Sequence, residues 1–99
     1  DYKSLVNQLV IQLNQNSKWD RRNLILIFAL LLKVSRAYAG LYKWVTHIVS
    51  LILSNPSIDV NQKDSQGINA MYVAVYYGHL EVLNQLENCG GRYESNYKY

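Results

Sequence analysis

A single cysteine, Cys89, gives this 99-residue chain no internal disulfide, and no Cys/His pairs stand at zinc-ligand spacing, so both common staples of small domains are excluded. A reducing, intracellular setting is the expectation that follows. The most apolar run, Leu24 to Leu32, sits between Arg21-Arg22 and Lys33 and falls far short of the ~20 residues that cross a bilayer, so it reads as a buried helix rather than a membrane anchor. The N-terminus lacks the basic patch, apolar run and small-residue cleavage site of a signal peptide. No nucleophile–base pair, carboxylate pair or phosphate-binding loop stands out, which argues against a free-standing enzyme and leaves no cofactor or metal to expect. Between positions 18 and 43, Lys18, Arg21, Arg22, Lys33, Arg36 and Lys43 gather against a single acid, Asp20. Such a cluster could attract an acidic partner or nucleic acid. Without a glycine-rich phosphate loop or a basic–aromatic strand, it reads first as a solvated rim.

What is present fits a globular class: 49% hydrophobic residues beside 17% charged ones, with a net charge of +3. A domain of this size hides only roughly 60–65% of its unfolded surface, which leaves little spare stability. The first residue is Asp1 rather than methionine, and the expectation is a segment of a longer protein.

Leu5, Val6, Leu9, Val10 and Leu13 recur at three- and four-residue steps, predicting an amphipathic helix from Tyr2 to Leu13. Polar residues then break the period, and Asp20 can cap a second helix from about Leu24 to Arg36. That helix is apolar almost all round and is expected to be buried on most sides. Gly40 and its small neighbours allow a bend before a third helix through Trp44 to Ser54, which Pro56 stops. The segment from Ile58 to Gly67 reads as an extended turn with positive φ at Gly67. Helices from about Asn69 to Tyr77 and from Leu80 to Asn88 follow, separated by Gly78 and closed by Gly90-Gly91. The tail from Arg92 to Tyr99 has no apolar period and is expected to fray.

Helix, turn, helix, extended turn is a repeating order, and the chain can be laid on itself. Asp20 falls on Asp64 and Asn23 on Gly67, where asparagine is expected to take positive φ as glycine does. In the second helices Ile48 falls on Val82, Val49 on Leu83 and Ile52 on Leu86. The first offset is 44 residues and the second 34, so about ten residues are inserted in the middle unit, around Lys33 to Lys43.

The segment DSQGINAMYVAVYYGHLEVLNQLENCGG, from Asp64, resembles an ankyrin repeat: Asp64, Gly67, Ala74, Gly78, His79, Glu81, Leu86 and Gly90 match that family's pattern, and Met71, Val82 and Leu83 are like-for-like. Asn69, Ala70 and Tyr72 depart from it, standing where the family has Thr, Pro and His. The resemblance implies an all-α, ankyrin-like solenoid of stacked antiparallel helix pairs, with one repeat at 59–91, a degenerate enlarged one at 16–58, and the helix of a partial or capping repeat at 2–15. It further implies that His79 is a structural residue bonded to nearby backbone, and that Leu80, Val82, Leu83 and Leu86 form the stripe packing on the adjacent pair. By the family's habit, a protein partner binds the concave face of turn tips and first helices. Carried over by position, that face is Arg21, Arg22, Ser65, Gln66, Ile68, Tyr76 and Tyr77. Tyrosine offers rigid contact area with a hydroxyl, and arginine pairs with carboxylates bidentately. Trp19, beside the arginines, is either a partner anchor or a lid over the long helix. The expected function is a protein–protein interaction module, with a structural or targeting segment of a larger enzyme, effector or assembly as the alternative.

Overall fold

The computed structural model describes residues 2–16 and 19–93, with the side chain of Arg21 outside that description; the expectation for the tail beyond Tyr93, and Lys18 of the basic cluster, fall outside the described residues. The described residues form α1 (Tyr2–Asn16), α2 (Arg21–Ala37), a 3-10 turn (Ala39–Leu41), α3 (Tyr42–Leu53), α4 (Ala70–Tyr77) and α5 (Leu80–Asn88), with no strand among them. Helices α2 and α4 pack side by side in one row, while α3 lies between α1 and α5 in a second. The pairs α2–α3 and α4–α5 join the rows.

The core runs along the seam between the rows. Val45, Ile48, Val49 and Ile52 of α3 are fully buried, as an apolar helix with neighbours on three sides must be. Phe28, Leu31 and Leu32 of α2, Met71 and Ala74 of α4, and Val82 and Leu86 of α5 meet them. Truncating Phe28 to alanine at the centre of this cluster should remove about 3–5 kcal/mol.

Local chemistry fixes the helix starts. Asp20 accepts from the Asn23 N–H at 2.8 Å while the Asn23 side chain accepts from the Asp20 N–H at 3.0 Å, a reciprocal capping box. This overturns the alignment of Asn23 with Gly67: Asn23 is the third residue of α2, not a positive-φ turn, and the helix starts at Arg21 rather than Leu24. In the last unit the same work is divided. Asp64 Oδ1 accepts from the Gln66 and Ile68 N–H groups to close a turn through Gly67, φ +81°, and Asn69 caps α4 by accepting from the Tyr72 N–H. The surplus of the middle unit is mostly helix: α2 has 17 residues where α4 has 8.

Three burial expectations are corrected. Leu26 and Leu30 of α2 are 57% and 52% exposed, because among the described residues α4, α3 and the 3-10 turn pack on that helix and leave these two side chains largely open. Leu80 is exposed, since at the first position of α5 it lies roughly 200° round the helix from Val82, outside the stripe that Val82, Leu83 and Leu86 share. Leu5 and Leu9 of α1 are also exposed. Helix α1 packs on α3 alone, and that one neighbour covers only the narrow face of Val6, Val10 and Leu13.

Side chains tie the loops to this frame. Trp19 is half-buried against the core and donates through Nε1 to Asn14 Oδ1 at 2.7 Å; Asn14 in turn donates to the Leu51 carbonyl and accepts from Asn55. These bonds tie Trp19 to α1 and, through Asn14, to α3. Asn61 bonds the Gly90 carbonyl and the Arg92 N–H, and buried Asn69 donates to the Arg92 carbonyl, fastening the long connection to the end of α5.

Candidate functional site

A half-open groove of about 750 Å³ lies between α2 and α4. That volume lies within the range of sites that hold drug-sized ligands. Its aliphatic wall is Ile25, Leu26 and Ala29 of α2, with Arg22 at the N-terminal end. The opposite wall is Tyr72, Val73, Tyr76 and Tyr77 of α4, and the turn residues Asp64, Ser65 and Ile68 close one side.

The aromatic wall is ordered by helical spacing. Tyr72 and Tyr76 stand one turn apart on α4, so their rings stack at 6.4 Å and 19°. Tyr93 continues the row on the other side of Tyr72 at 6.3 Å and 11°. Tyr77 meets Tyr76 edge-on at 5.0 Å and 86°. Tyr76 is 64% exposed at the rim, whereas Tyr77 is half-buried and packs against the core as well as the groove.

Of the residues singled out by position, Arg22, Ser65, Ile68, Tyr76 and Tyr77 line this one groove. Gln66 is exposed at the turn tip and does not line it. Arg21 opens α2, and its side chain lies outside the described residues. Sequence reasoning missed Ile25, Leu26, Ala29, Asp64, Tyr72 and Val73. The signal for Tyr72 was its four-residue spacing from Tyr76; for Leu26 it was a helix too apolar for a two-row fold to cover.

Both histidines lie away from the groove. His47 is exposed on α3. His79 is buried at the start of α5: Nδ1 accepts from the Val82 N–H at 3.3 Å, which leaves Nε2–H to donate to the Tyr42 carbonyl at 3.4 Å. Its ring stacks on Tyr42 with centroids 3.8 Å apart. Burial pushes its imidazole below the ordinary value, against the opposing pull of the Tyr42 carbonyl and Glu81. The neutral ring therefore caps α5 and pins it to α3, and no group of His, Cys, Asp and Glu among the described residues could hold a metal ion.

The groove presents apolar walls, phenol hydroxyls, the Ser65 hydroxyl, the Asp64 carboxylate and the Arg22 guanidinium. No protein-family model matches this chain, and no curated protein or solved structure is significantly similar to it.

Proposed function

We propose that this chain is an ankyrin-like interaction module that binds a segment of a protein partner in the groove between α2 and α4. The observation that carries the reading is the groove itself: an apolar trough with an exposed tyrosine and an arginine at its rim has the composition of protein-binding hot spots. The two-row packing, the Gly78-His79 reversal and the Asp64 turn support the ankyrin-like part of it: α2 and α4 stand side by side, as the first helices of two repeats would, and the Asp64 turn closes one side of the groove between them. Stacked pairs of this kind extend by repetition, so a partner can be read by several units in a row.

The test uses two exposed positions whose change should leave the fold intact, Leu26→Asp and Tyr76→Ala. Capture of a protein partner should fall at least tenfold in the double variant while the helical circular dichroism stays that of the parent. Equal capture by parent and variant overturns the groove as the binding site.

A further inference from the structure

Helix α2 is more than twice as long as α4, so its groove-facing stripe runs on past the end of the shorter helix. That stripe reads Arg22, Leu26, Ala29, Lys33, Arg36, at steps of four and three residues, which is one face of a helix. The first three line the groove, and Lys33 and Arg36 are exposed beyond it. Among the described residues none of the three cations pairs with a carboxylate. The one acid in the groove, Asp64, has its Oδ1 held by the Gln66 and Ile68 N–H groups. The open flank of the helix is thus an apolar trough bracketed by positive charge.

We infer that the occupant of this groove is an acidic peptide segment: an apolar side chain seats between Leu26 and Tyr76, and carboxylates on either side of it pair with Arg22 at one end and with Lys33 and Arg36 at the other. The inference rests on the groove being a protein-binding site. Eleven residues of α-helix separate Arg22 from Lys33, about 16 Å, which an extended chain covers in about five residues. The expected ligand therefore has acids about five positions apart with a bulky apolar residue between them. Arginine is the better of the two cations for this task, since its planar fork takes a carboxylate bidentately. The apolar walls favour a peptide over a nucleic acid, whose phosphates would meet only three spaced cations here.

The experiment is selection of a random dodecapeptide phage library on the full chain, followed by titration of the enriched peptides by fluorescence anisotropy. The expected result is enrichment of acid-flanked apolar motifs. Their affinity should fall at least tenfold on charge reversal in Lys33→Glu/Arg36→Glu, fall again in Leu26→Asp, and weaken as salt is raised from low to moderate. Enriched peptides that depend on Leu26 but carry no acidic bias overturn the inference and leave the groove as a protein site. Acidic peptides indifferent to Leu26→Asp, or no enrichment at all, overturn both. A fluorescent single-stranded oligothymidylate is titrated alongside. Binding tighter than that of any selected peptide, lost on the same charge reversals, replaces the acidic peptide with a nucleic acid.

Discussion

His79 links α5 to α3 through one ring, accepting the Val82 N–H of α5, donating to the Tyr42 carbonyl of α3 and stacking on the Tyr42 ring. Only the neutral imidazole can do all of this, since protonating Nδ1 removes the acceptor for the Val82 N–H. The folded value is lowered, so the unfolded chain takes the proton more readily. Stability is accordingly full above the ordinary value of about 6.5 and is lost as pH falls through it toward the folded value. Urea midpoints at pH 7.5 and 5.5 should therefore drop more in the parent than in His79→Asn, whose side chain can cap without titrating; parallel drops would refute the assignment. A second residue-scale test is Gly78. It sits at φ +70° with open space around it, so Gly78→Ala meets no clash and should cost only the left-handed backbone penalty, about 1–2 kcal/mol by thermal unfolding. At Gly91 the reason for glycine is different, because an added Cβ would stand 2.7 Å from the Leu86 carbonyl oxygen.

At the scale of elements, the two caps should not be worth the same. Asp20 is exposed, and Asp20→Ala should remove about 1 kcal/mol. Asn69 is buried and also holds the Arg92 carbonyl, so Asn69→Ala leaves two backbone groups unserved and should remove about 2–3 kcal/mol. Equal losses in chemical denaturation would contradict the structural difference. The open flank of α2 makes a matching claim: Leu26→Ser and Leu30→Ser should each change stability by no more than about 0.5 kcal/mol. These features differ in how far the sequence revealed them. Asp20 and Gly78 act through neighbours three or four residues away, and their roles were legible as spacing. The exposure of Leu5, Leu9 and Leu26 depends on which helices stand beside them, which no local period records. The same holds for the groove: the tyrosine pair on α4 was visible, but its opposing wall on α2 needed the row packing to bring it across.

At the scale of the molecule, two short rows of helices leave an apolar, cation-flanked trough along one row and bury their core along the seam to the other. The two faces of α2 differ accordingly: Phe28 and Leu32 turn inward to the core, and Leu26 and Lys33 turn out on the face we propose binds a partner. The central claim is that the outward face is where a partner sits. Amide hydrogen exchange of the chain, free and bound to a selected peptide, tests it most directly. New protection should concentrate in residues 22–36 and 64–77 with α1 and α5 unchanged; protection confined to α1 or α5, with those two segments unaltered, would contradict it.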